Sequence, residues 1–114
     1  MRKISDQFAA DVICTAVEGG INYWAVVLKW DGEGSALVED HDKKTGPEVA
    51  WPVTINKDLI QKGIDLLSEG KITLNTDTLG SILVGATMDD AGDVDAEAAD
   101  AIVQAAIFGD IVYG

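Results

Sequence analysis

Apolar residues recur at helical spacing near the start of the chain. Phe8, Ala9, Val12, Ile13, Ala16 and Val17 fall at i, i+4 and i+8 and form one stripe. This predicts an amphipathic helix over residues 5–18, with Ser5 as its N-cap and Cys14 beside the stripe. Gly19-Gly20 is the predicted stop, one glycine taking the left-handed conformation after the last turn. The period then changes. "INYWAVVLKW", residues 21–30, is β-branched and aromatic and predicts a strand. Trp24, Val26, Leu28 and Trp30 share one face; Tyr23, Ala25 and Val27 share the other. Two apolar faces predict a central strand. "DGEGS", residues 31–35, reads as a turn and "ALVED" as the returning strand of a hairpin. "HDKKTG" reads as a polar loop carrying the Lys43-Lys44 pair. "PEVAWPVTI", residues 47–55, predicts a third strand, at an edge or bulged because Pro52 has no N–H to give to a ladder.

Helical spacing returns after Asn56, which is placed to cap a helix over residues 57–69. Leu59, Ile60, Ile64 and Leu67 face inward and Gly70 ends the helix. "KITLN" reads as a connector or short strand. Leu79, Ile82, Leu83 and Ala86 predict a third helix. A fourth, capped by Asp93 or Asp95, turns Ala99, Ile102, Val103, Ala106 and Ile107 inward and stops at Gly109. "DIVYG" reads as a closing strand. The expected architecture is α+β: a single compact domain over residues 1–114, with a three- to four-stranded, mostly antiparallel sheet and three or four helices.

The charge distribution narrows the functional classes. The 114 residues carry 20 acidic and 8 basic side chains, a net charge of −12. All 8 basic residues lie within residues 1–71; residues 72–114 hold 8 acids and no base. Nucleic-acid binding needs Lys and Arg on phosphates, so DNA, RNA and anionic membranes are excluded as direct partners. The field favours a basic protein surface, although acidity also serves solubility alone. No apolar run reaches the ~18 residues of a membrane span. "MRKISDQF" has no apolar core of a signal peptide, and one cysteine cannot build a disulfide framework. The expected compartment is the cytoplasm.

Two stretches carry candidate chemistry. "EGGINYW" sets Gly19, Gly20, Asn22, Tyr23 and Trp24 at one corner. Glycine lets a ligand approach the backbone, and the aromatics can stack on a flat ring or anchor a partner. Lys29 is the cation such a corner would recruit for a nucleotide. The alternative is a helix stop leading into a core strand. A helix C-terminus presents carbonyls, which argues against a phosphate cradle. The second stretch, "DDAGDVDAE", puts Asp89, Asp90, Asp93, Asp95 and Glu97 within nine residues, and Asp100 lies further along the same helix. Its spacing does not fit a calcium loop. It serves either as a solvated loop with a helix cap or as an array of charges imitating phosphates.

Catalytic and metal signatures are missing. Cys14 is assigned to a helix face and His41 to a loop between Asp40 and Asp42, an unsuitable nucleophile and base. No phosphate-binding loop, GxGxxG or GxSxG occurs. The reading is no catalytic residue, no metal and no cofactor, with a small hydrolase as the remotest alternative.

"TAVEGGINYWA", residues 15–25, and "DAEAADAIVQAAIFGDIVYG", residues 95–114, resemble a group of small uncharacterised proteins found in bacteriophages, prophages and some actinobacterial genomes. "VTINKDLIQKGIDLL" is a weaker match to the same group. The resemblance implies a viral or mobile-element context and assigns no residue roles. Small acidic proteins in that context often block host defences. The leading expectation is therefore a non-catalytic counter-defence protein of the anti-CRISPR or anti-restriction type, which inhibits a host nucleic-acid-handling protein through Asp89, Asp90, Asp93, Asp95, Glu97 and Asp100. The alternative is a nucleotide sponge, a homo-oligomer using the Gly19-Gly20 corner, Asn22, Tyr23, Trp24 and Lys29.

Overall fold

The computed structural model describes residues 2–42 and 49–114. The Lys43-Lys44 pair, most of the "HDKKTG" loop and the first two residues of the 47–55 stretch lie outside the described residues. The order of elements is α1 (Asp6–Thr15), a π turn (Ala16–Gly20), β1 (Ala25–Trp30), β2 (Ala36–Asp40), β3 (Val53–Ile55), α2 (Lys57–Ser68), α3 (Thr76–Met88) and α4 (Ala96–Phe108). Four helices and an antiparallel three-stranded sheet make the α+β fold that the periodicities predict.

The predicted caps form. Ser5, Asn56 and Asp95 each accept a hydrogen bond from the third residue beyond them, the amides of Phe8, Leu59 and Ala98. Each satisfies one of the amides that a helix start leaves without an intrahelical partner. Gly70 and Gly109 end α2 and α4 in the left-handed region.

Four expectations fail. The strand order is β1-β2-β3, so β1 is an edge and β2 is central. The ladder from Ala25↔Asp40 to Trp30↔Ala36 is interrupted by a bulge between Val27 and Lys29, which leaves Val26 and Leu28 facing solvent. Their apolar character therefore does not mark a second buried face. The first helix does not stop on a left-handed glycine. It widens into the π turn, and the Ile21 amide donates to the Ala16 carbonyl at 3.1 Å. The closing "DIVYG" is not a strand; it runs beside α4 without a backbone ladder. The third strand is also shorter than its sequence pattern, starting only after Pro52.

Helix α4 is the centre of the fold. All of Ala98–Ala106 is buried, polar Asp100 and Gln104 included. A helix buried all round needs close neighbours on every side, and glycines provide two of those approaches. A Cβ on Gly63 of α2 would lie 2.2 Å from the Ile102 carbonyl oxygen, and one on Gly20 would lie 2.8 Å from that of Ala96. The second glycine of "EGGINYW" is thus a packing requirement. Gly19 has nothing within 4 Å of its missing Cβ.

Gly63→Ala must push α2 away from α4. Its expected cost is about 1–3 kcal/mol of folding free energy, read from urea denaturation, whereas Gly19→Ala leaves stability unchanged or slightly raised.

Candidate functional site

The polar side chains of α4 join the two halves of the chain. Asp100 accepts the Trp24 indole N–H on Oδ1 at 2.8 Å and the Tyr23 hydroxyl on Oδ2 at 2.6 Å. Gln104, one turn on, donates through Nε2 to Asp100 Oδ1 at 2.9 Å. Its Oε1 accepts from the amides of both Val112 and Tyr113 at 2.8 Å. This side-chain amide replaces the strand partner expected for "DIVYG". Tyr113 returns to the sheet: its hydroxyl donates to the buried Asp40 carboxylate, and its ring stacks on Trp24 at 5.3 Å and 7°. Phe108 packs obliquely against both rings.

This network splits the candidate residues. Trp24 is buried and fully engaged, so it does not act as an open stacking platform. Asp100 is 8% exposed and holds three neutral donors, so it leaves the surface array predicted for it. Tyr23 remains 57% exposed although its hydroxyl is tucked against α4. Burial of that hydroxyl, with the Asp100 hydrogen bond and charge, pushes the phenol well above its ordinary range. Asn22 is exposed, and its carbonyl lies 3.4 Å from His41 Nε2.

Asp89, Asp90, Asp93, Asp95 and Glu97 are all exposed, but their duties differ. Asp89 ends α3 in a left-handed conformation and accepts from both the Ser5 amide and hydroxyl. Asp90 accepts from the Gly92 amide, and Asp95 caps α4. Asp93 and Glu97 carry no such hydrogen bond among the described residues and project from the surface as charges.

Both candidate stretches meet at one groove. It has a volume of about 340 Å³ and is lined by Gly20 and Tyr23 from the corner, Glu97 and Asp100 from α4, and Leu74 and Ile111 among the apolar residues. Lys29 is elsewhere, in a depression with Asp31, Ser35, Leu37 and Thr54. The nucleotide corner as first drawn is therefore not assembled within one chain. Asp40, Gln104 and Tyr113 escaped the sequence reading. A lone glutamine in the apolar run "AIVQAAI" was the available signal for Gln104.

Cys14 and His41 take separate partners. The Cys14 thiol donates to Glu18 Oε1 at 3.3 Å. That hydrogen bond first, then desolvation and the charges of Glu18 and Asp11, raise its pKa, the reverse of an activated nucleophile. Among the described residues no group of three His, Cys, Asp or Glu side chains is placed to hold a metal ion. No described helix is long and apolar enough to cross a membrane. Comparison with protein-family models, with curated proteins and with solved structures yields no match.

Two outcomes check this geometry. Gln104→Ala strands the Val112 and Tyr113 amides and is expected to cost about 2–4 kcal/mol, with fast hydrogen exchange at those two positions. Glu18→Ala removes the acceptor that holds the Cys14 proton together with its charge, so iodoacetamide labelling at pH 8 is expected to speed up.

Proposed function

We propose that the protein is a non-catalytic binding protein whose acidic face occupies a basic surface on a nucleic-acid-handling protein of the host. The observation that carries this reading is the unbalanced charge between the end of α3 and the first turn of α4. Asp89, Asp90, Asp93, Asp95 and Glu97 are exposed, and none forms an ion pair with a described cation. The two described ion pairs, Lys57–Asp6 and Lys71–Glu69, lie among other residues. Uncompensated like charges repel one another and oppose the compact state. A basic groove built for phosphates would relieve that repulsion and be blocked by it. The phage and prophage resemblance of residues 15–25 and 95–114 supports a counter-defence role in the host cytoplasm. No cofactor is required.

The structure also selects the variants that test this reading. Asp95 and Asp89 support the fold, so their neutralisation confounds stability with binding. Asp93 and Glu97 do not. The expected result is retention of a host nucleic-acid-handling protein from lysate at 50 mM salt, with affinity falling at least about tenfold by 500 mM. Added DNA competes with the protein for that partner. The double variant Asp93→Asn/Glu97→Gln melts like the wild type and retains less of the partner. Association indifferent to both salt and the double variant rules the mechanism out.

A further inference from the structure

The groove between the π turn and α4 has a chemistry more specific than general acidity. Its polar side chains are Tyr23, Glu97, Asp100 and Tyr113, and no described Lys, Arg or His lines it. Glu97 and Asp100 are three residues apart, so both carboxylates stand on one side of α4. Asp100 is more than nine-tenths buried, and its three donors, Trp24 Nε1, Gln104 Nε2 and the Tyr23 hydroxyl, are all neutral. No described cation offsets this carboxylate. The Tyr23 hydroxyl donates to Asp100, with the Tyr113 carbonyl a second acceptor at 3.3 Å, and its oxygen accepts from Gln104 Nε2 at 3.2 Å, so the phenol adds no free donor to the wall. The rest of the wall is apolar, with Leu74, Ala101 and Ile111. The missing complement is a cation rich in donors on an apolar stem.

We infer that this groove receives an arginine side chain of the partner protein, its guanidinium bridging Glu97 and Asp100 and its stem lying on Leu74, Ala101 and Ile111. The inference rests on the binding role proposed above and names the site within that face. A guanidinium fits better than an ammonium because its planar fork can serve two carboxylates and lie against the half-exposed Tyr23 ring. At about 340 Å³ the groove is at the small end of ligand sites, suited to one long side chain. A phosphate or nucleotide would meet two carboxylates and no described cation.

The test is a two-dimensional amide NMR titration of the whole chain with N-acetyl-arginine amide. The Trp24 indole N–H, bonded to Asp100, is a built-in reporter. Saturable shifts are expected at that indole and at Gly20, Tyr23 and Ala101, with a Kd on the order of millimolar for one side chain. The neutral isostere N-acetyl-citrulline amide is expected to produce no such shifts. Methylguanidinium, which lacks the stem, is expected to bind more weakly. Glu97→Gln weakens the arginine probe roughly fivefold, whereas Asp93→Asn, which removes one charge outside the groove, does not. Shifts that never saturate, a response to citrulline equal to that to arginine, methylguanidinium binding as tightly as the capped arginine, or equal losses in the two variants would overturn the assignment. The last result would still leave salt-dependent binding through the acidic face intact, so the two readings fail separately.

Discussion

The rest of the structure depends on burying α4 on all sides while it carries Asp100 and Gln104. Either side chain would be costly in a core without partners, at about 1–3 kcal/mol for each unsatisfied group. The fold answers by bringing three distant segments to this helix. Tyr23 and Trp24 come from the corner before β1, Tyr113 from the closing segment, and Asp40 from the end of β2 through the Tyr113 hydroxyl. Such a network favours one arrangement over its competitors, because a shift of any segment leaves several groups unpaired at once. It also explains the small residues nearby. Gly20, Gly63 and the alanines of α4 let neighbouring backbones approach closely enough for these hydrogen bonds to form.

Folding takes up only part of the carboxylates of the second half. Asp100 turns inward and organises the core, Asp90 and Asp95 satisfy amides two and three residues on, and Asp89 accepts from distant Ser5. Asp93 and Glu97 are free of such duties. What is exposed is thus a surface whose acidic density is partly fixed by helix ends and partly uncommitted. The groove beside Tyr23 links the two classes, since Glu97 stands at its edge and Asp100 in its wall. The same contacts that hold "EGGINYW" in place therefore shape the surface offered outside.

Much of the fold was legible because helices announce themselves locally. The stripe of α1, the caps Ser5, Asn56 and Asp95, and the stops Gly70 and Gly109 depend on neighbours a few residues away. The failures were nonlocal. Val26 and Leu28 resemble core residues until the bulge in β1 and its edge position turn them to solvent. "DIVYG" resembles a strand because nothing local shows that Gln104 will take its amides. At the site, the exposure of Asp93 and Glu97 followed from composition. The inward turn of Asp100 did not, since a charged residue on a helix is ordinarily a surface residue. Its spacing of four from Gln104, amid alanines and isoleucines, was the clue.

The central claim is that one acidic helix separates a folding carboxylate from a binding carboxylate. Equilibrium denaturation of Asp100→Ala beside Glu97→Ala tests it most directly. Asp100→Ala takes the acceptor from the buried Trp24 indole and leaves the Tyr23 hydroxyl and Gln104 Nε2 only their longer bonds, to the Tyr113 carbonyl and to each other. The account predicts a loss of about 3 kcal/mol or more for that variant and under about 0.5 kcal/mol for Glu97→Ala. Equal stabilities for the two variants, or a larger loss at Glu97, would contradict it.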